Sequence, residues 1–343
     1  MTGVQSDAAA TSTSSGLART NAVRGAWVAL FLALLVMSAV VSIAVGNKFI
    51  PPDEIWRVLW YPDQSLASDI VRDLRIPRTL LGILAGALIM ALTRNPLADP
   101  GILGVNAGAQ FFVVLAVALL GLTTFGQYVW FSFAGAIGTT VMVYSIGSIG
   151  RGGGTPVRLT LAGVALGAVL SGVASGITLL NPRAFDRLRT WSAGSLAGRE
   201  LDVVLQLLPF VVVGALIAFA LPRRLNAVAL GDDLASAFGV SMRTTRLWGI
   251  VAVTILCGAT TTVAGPISFV GLVVPHIVRW FFGPDQRWIF SATVVAAPTL
   301  VLIADITGRL VIRPGEIQVG LMTAFIGAPV LIALVRRKRV SGL

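Results

Sequence analysis

Long apolar runs, broken at intervals by short clusters of Arg, Asp, Glu, Gly and Pro, set the pattern of this chain. The first run, about Ala26 to Gly46, follows Arg19 and Arg24. It is longer than the ~7–15-residue apolar region of a signal peptide and predicts a retained membrane helix. Nine further runs follow at about Ile76–Thr93, Ile102–Leu122, Gln127–Ile149, Val157–Leu180, Leu201–Leu221, Thr245–Val263, Pro266–Phe282, Trp288–Thr307 and Ile317–Val335. Most approach the ~20 residues an α-helix needs to cross a ~30 Å hydrocarbon core. Backbone in lipid must satisfy its own hydrogen bonds, so the pattern predicts an all-α, polytopic membrane protein of about ten transmembrane helices. Residues 1–24, rich in Ser, Thr and Ala, are expected to form a disordered cytoplasmic tail before a transmembrane domain over residues 25–338.

Two segments between the runs carry their own signals. Pro52-Asp53-Glu54-Ile55-Trp56 has proline and acids where a helix begins, and predicts a short helix on the outer membrane surface. Ala184–Leu196 sets Phe185, Leu188, Trp191 and Leu196 among Arg183, Arg187 and Arg189. It is too short and too charged to span, so it is expected to lie at the outer interface or dip back in.

Composition agrees with the pattern. The chain is 56% hydrophobic and 12% charged, with a mean hydropathy of +0.87, against about 25% charged in a soluble domain. A net charge of +11 would suggest a nucleic-acid partner in a soluble protein. Here the basic residues sit in the gaps between spans, which points to membrane orientation and to no nucleic acid. Placing the N-terminus in the cytoplasm puts 15 of the 26 Lys and Arg residues inside, against 11 outside. That supports a reading in which both termini are cytoplasmic.

Little chemistry is available to the chain by itself. A lone histidine, His276, and a lone cysteine, Cys257, exclude a His-pair zinc site and an internal disulfide. An ion-coupled secondary transporter calls for ionisable residues within its spans, and no convincing carboxylate relay is visible. An intramembrane serine enzyme would need His276 deep and paired with Ser, whereas its flanks place it near the inner surface. Arg151-Gly152-Gly153-Gly154-Thr155-Pro156 lacks the lysine and spacing of a phosphate-binding loop. No nucleotide site, metal site or resident cofactor is therefore expected, and the energy source must be another polypeptide. The pairs Gly82/Gly86, Gly104/Gly108, Gly163/Gly167 and Gly172/Gly176 each predict a small-residue face for close helix approach.

One cytoplasmic connection stands out. Leu230, Leu234 and Phe238 recur at helical spacing, Asp232 and Asp233 sit early in the same stretch, and Gly239 is placed to cap its end. Periodicity alone makes it an interfacial helix or a docking helix.

Several stretches resemble the ferric-siderophore and vitamin B12 permeases, the membrane subunits of type II ABC importers. They are Arg75-Ile76-Pro77-Arg78-Thr79, Arg94-Asn95-Pro96-Leu97-Ala98-Asp99-Pro100-Gly101, Leu161-Ala162-Gly163, Ala264-Gly265-Pro266-Ile267-Ser268-Phe269-Val270-Gly271, and Pro314-Gly315-Glu316 through Gly327-Ala328-Pro329. The resemblance covers about Ile50 to Arg339. It implies the type II importer permease fold, a ferric siderophore as cargo (with B12 or haem as alternatives) and a location in the bacterial inner membrane. Implied partners are a second permease subunit, two cytoplasmic ATPases that bind ATP and Mg, and an extracytoplasmic solute-binding protein. By the same resemblance, Leu230, Gly231, Asp232, Asp233, Leu234, Ala235, Phe238 and Gly239 form the helix that couples to the ATPase. Arg75, Arg78 and Arg309 pair with acidic residues of the binding protein. This chain departs from that pattern in one place. Only Thr79 to Thr93 lie between Arg78 and Arg94, about 22 Å of helix, where the related permeases carry about two more turns. The expected result is a helix from about Pro77 to Thr93, with Asp69–Arg75 drawn inward and Arg75 and Arg78 displaced from the docking surface.

Overall fold

A computed structural model of the chain describes residues 5–91, 104–122, 124–149, 156–198, 201–221, 224, 237, 239–283, 286–312 and 315–338. Among these, all regular structure is helical. Ten helices coincide with the ten apolar runs. They are α1 (Gln5–Ala44), α4 (Ile76–Ala91), α5 (Val105–Leu120), α6 (Phe125–Gly147), α7 (Pro156–Leu180), α9 (Leu201–Ala220), α10 (Met242–Ala264), α11 (Val270–Phe282), α12 (Gln286–Val311) and α13 (Val319–Lys338). Three short helices join them: α2 (Pro52–Trp60), α3 (Leu66–Ser68) and α8 (Pro182–Ser192).

Five of the helices contain stretches long and apolar enough to cross a membrane, namely Asn21–Ala44, Gly126–Gly147, Val157–Leu180, Leu247–Ala264 and Trp288–Val311. Four more, in α5, α9, α11 and α13, are apolar but shorter. Helix α1 begins at Gln5, within the tail whose composition suggests disorder. Its apolar part turns Val36, Met37 and Val40 outward, as a lipid-facing helix must.

The predicted surface helix is α2. Its proline stands in the first turn with Asp53 and Glu54, where a missing N–H costs nothing and negative charge meets the helix dipole. Ile55 and Val58 bury against Ile50, Ala67 and Val71. Trp56 and Trp60 stay exposed on the other face, with ring centroids 5.9 Å apart. In the turn beyond α2, Ser65 donates to Asp63 from its hydroxyl and from its N–H, and Arg57 lies 3.1 Å away. Together they hold the Asp63 carboxyl below its usual range, the Ser65 hydroxyl contributing most.

The short fourth helix is entered in an unusual way. Helix α3 passes through a seven-residue π-helical stretch, Asp69–Arg75, directly into α4. Within it Val71 and Arg75 are buried, while Asp69, Arg72, Asp73 and Leu74 are exposed. The helix itself starts at Ile76, and helical winding runs without a break from Leu66 to Ala91.

Two of the predicted glycine faces are filled. A Cβ on Gly82 would stand 2.8 Å from Leu302, and one on Gly108 would collide with Thr139 of α6. Gly163 is buried, and a Cβ on Gly167 would be in ordinary contact with α5, 3.7 Å from Ala107. Gly172 and Gly176 meet nothing within 4 Å. Helix α7 is accordingly an outer helix of the subunit, with Leu161, Val164, Val169 and Val173 exposed.

Candidate functional site

The three arginines expected to serve docking come together at one end of the bundle, the end that also carries α2. They are not free surface charges. Arg75, 4% exposed, donates from Nη1 to the carbonyls of Ile43 and Ala44, both at 2.9 Å, and from Nη2 to that of Lys48 at 2.6 Å. Arg309, 3% exposed, donates from Nη1 to the carbonyls of Ser42 at 3.0 Å and Val45 at 2.8 Å. Its Nη2 also reaches the Ser42 hydroxyl at 2.8 Å. The last carbonyls of a helix have no partner within it and carry the negative end of its dipole. Arg75 and Arg309 supply that partner for α1 from two different helices. Gly46 makes room for the first of them, since a Cβ there would lie 2.6 Å from the Arg75 guanidinium.

Between the arginines stands Asp305, a residue the sequence reading passes over. Its side chain is 1% exposed. Arg78 donates to it from Nε at 3.0 Å and from Nη2 at 2.7 Å, and Arg309 Nη2 lies 3.0 Å from its other oxygen. Arg78 also holds Glu316 at 2.8 Å through Nη1. Thr79 and Ser42 close the cluster with a 2.8 Å contact between their hydroxyls. A buried carboxylate engaged on both oxygens by two guanidinium groups ties the helices that carry them together. The clue was present in the sequence. Asp305 and Arg309 are four residues apart, one helical turn, in the Ala-Asp-Ile-x-x-Arg stretch, and Glu316 closes Pro-Gly-Glu.

A second irregular feature lies deeper in the bundle. Helix α8 is capped by Asn181, whose side chain accepts from Ala184 N at 3.1 Å. Arg183 and Arg189 face out while Ala184, Leu188 and Trp191 are buried. The segment packs one face against the protein and keeps its charged face outward. Beyond it the chain threads through three glycines. A Cβ on Gly194 would lie 2.5 Å from the Pro266 carbonyl, one on Gly320 equally close to the Ala193 carbonyl, and one on Gly265 would strike the Trp191 carbonyl. Gly320 N donates to Gly194 O at 3.1 Å. Next to this crossing Phe269 has φ 67°, a left-handed conformation costly for a residue with a Cβ. It sits against Gly327, where a Cβ would collide with it. Non-helical backbone is tolerated within a membrane bundle only where protein or an aqueous cavity surrounds it, and this crossing is walled by protein.

Of the expected ATPase-coupling residues, Leu230, Gly231, Asp232, Asp233, Leu234, Ala235 and Phe238 lie outside the described residues. Gly239 is described and exposed, with φ 70°, the conformation of a glycine just past a helix end. His276 falls within α11 rather than at its end and is half-buried. Among the described residues no group of three or more His, Cys, Asp or Glu side chains is arranged to hold a metal ion.

A bundle of ten apolar helices with a short amphipathic helix and an ionic cluster at one end is that of a polytopic membrane protein. Residues 34–337 match the FecCD transport family, and the chain belongs to that family. It is 48% identical to the ferric enterobactin transport system permease protein FepD of Escherichia coli, over 91% of this chain and 95% of that one. It is 39% identical to the iron(3+)-hydroxamate import system permease protein FhuB of Bacillus subtilis, over 90% of this chain and 82% of that one. To the hemin transport system permease protein HmuU of Yersinia pestis it is 31% identical, over 90% and 94%. Among solved structures it shares the fold of an inward-facing putative metal-chelate type ABC transporter, with a TM-score of 0.76, 24% identity, and coverage of 91% of this chain and 99% of that one.

Proposed function

We propose that this chain is the membrane-spanning permease subunit of an ABC importer that moves a ferric siderophore across the bacterial cytoplasmic membrane. The observation that carries the reading is the 48% identity to a ferric enterobactin permease over nearly the whole of both chains. In this reading ATP and Mg are bound and ATP is hydrolysed on partner ATPases, and the permease has no nucleotide site of its own. Both termini are cytoplasmic, as the distribution of Lys and Arg favours. The ionic cluster then faces outward, where a solute-binding protein delivers the chelate. Leu230–Gly239 faces the ATPase. A second permease subunit covers α7, whose Gly172/Gly176 face meets nothing within 4 Å among the described residues and offers the close approach that small residues permit.

The test is complementation. Expressed with the ATPase, binding protein and second permease of its own system, the chain should restore uptake of radiolabelled ferric enterobactin to cells lacking their own enterobactin permease. Uptake of haem or vitamin B12 without ferric enterobactin would move the cargo assignment to one of those compounds. Uptake that persists without the ATPase would overturn the ABC reading.

A further inference from the structure

Among the four charged side chains of the central cluster, the two carboxylates are not equivalent. Asp305 is enclosed, its side chain 1% exposed, and both of its oxygens are taken by guanidinium groups. Glu316 is 26% exposed, and the one side-chain contact it makes within the cluster is the 2.8 Å contact with Arg78. Arg78, at 12%, is the arginine whose side chain retains the most surface. Counting Arg75, the cluster holds three cations against two anions, and Arg309 Nε is buried without an acceptor. Arg75 is balanced by the carbonyls at the end of α1, and the open edge of the cluster is the Arg78–Glu316 pair.

We propose that Glu316 is the exchangeable occupant of Arg78. A carboxylate carried on a docking protein takes the place of Glu316 on Nη1, while Asp305 holds the rest of the guanidinium fixed. Exchange has a mechanical consequence. Glu316 lies three residues before the start of α13, in a segment otherwise held by Ile317 N donating to Gly308 O at 3.0 Å. Releasing Glu316 frees one of the ties between α4 and the entry to α13, a helix that runs the length of the bundle. Binding at one end is thereby linked to the position of α13. The inference rests on the docking role proposed above and adds which carboxylate gives way. The exchange replaces one charge-assisted ion pair by another on the same pre-aligned guanidinium, and Glu316, 26% exposed, is the more accessible of the two carboxylates.

The experiment uses the complete transporter in lipid nanodiscs and the binding protein of the same system, with affinity measured at low and high salt. Glu316→Gln removes the competitor and should tighten binding by roughly threefold to tenfold, most clearly at low salt. Arg78→Gln should weaken binding, and adding Glu316→Gln to it should bring no gain. Unchanged or weaker binding in Glu316→Gln, with Arg78→Gln still weakening it, overturns the exchange and leaves the docking role standing. Unchanged binding in Arg78→Gln overturns the docking role itself. A second measurement does not depend on the Arg78 variant folding. Spin labels at Leu80→Cys and Gly315→Cys, both exposed positions, in a Cys257→Ala background should move apart or broaden in distance when the binding protein is added. A distance distribution that does not change would overturn the release of the segment.

Discussion

Gly86 and Pro298 are in backbone contact, such that a Cβ on Gly86 would stand 2.5 Å from both the nitrogen and the Cα of Pro298. Neither atom belongs to a flexible side chain that could swing away. The contact sets how closely α4 lies against α12, and that closeness brings Arg78 within reach of Asp305.

Gly86→Ala should therefore destabilise the protein by about 1–3 kcal/mol, the usual cost of overpacking a filled site. Gly172→Ala, where a Cβ meets nothing, should leave the isolated subunit unchanged. Thermal denaturation of both variants in detergent, followed by loss of the monodisperse peak, makes the comparison. Equal midpoints would show that the α4–α12 contact can relax.

Asp305→Ala should be among the most damaging single changes at the ionic cluster. It strips two buried guanidinium groups of their shared counter-charge, and breaking a buried pair costs about 3–5 kcal/mol. Glu316→Gln, at the more exposed edge and keeping an acceptor oxygen for Arg78, should cost less than Asp305→Ala. Midpoints of chemical or thermal unfolding that rank the two variants in the opposite order would contradict the arrangement described.

The backbone crossing beside α8 allows a sharper comparison. Gly265 and Gly198 both have positive φ, 74° and 64°. Only Gly265 has a carbonyl, that of Trp191, where its Cβ would go. Gly198→Ala should cost only the backbone strain, about 1 kcal/mol. Gly265→Ala adds a backbone collision and should abolish the folded, monodisperse protein or lower its midpoint several degrees further. Near-equal effects would mean that the crossing is loosely packed.

Gly239→Arg should abolish siderophore uptake while the protein still inserts into the membrane at normal levels. The substitution forces an L-residue into φ 70° and sets a bulky cation where a partner surface must approach. Normal uptake, together with normal co-purification of the ATPase, would detach the Leu230–Gly239 segment from the coupling role.

Much of the fold was open to reading because lipid enforces a simple rule. A span must be helical and about 20 residues long, so apolar runs mark helices to within a few residues, as Val157–Leu180 and Gln127–Ile149 did. The amphipathic character of Ala184–Leu196 was equally visible, although the packing of its end depends on Gly194, Gly265 and Gly320 meeting in space. The ionic cluster was half visible. Arg75, Arg78 and Arg309 could be named, but Arg78 and Asp305 are 227 positions apart, and no local pattern links them. The π-helical winding of Asp69–Arg75 was not visible at all. It has no composition of its own, and the partners of Val71 and Arg75 within it are distant in sequence.

The arginine caps on α1 bear on how the molecule is made. Helix α1 leaves the ribosome first, yet the carbonyls at its far end accept hydrogen bonds from residue 309, which is made when all but the last of the ten long helices have been synthesised. Until then Arg75, made soon after α1, caps the carbonyls of Ile43, Ala44 and Lys48, and those of Ser42 and Val45 must be held by water at the membrane surface. The second half of the cap is completed late, by a residue from the other end of the chain. A truncation before Arg309 should thus leave an inserted first helix whose end is only half capped.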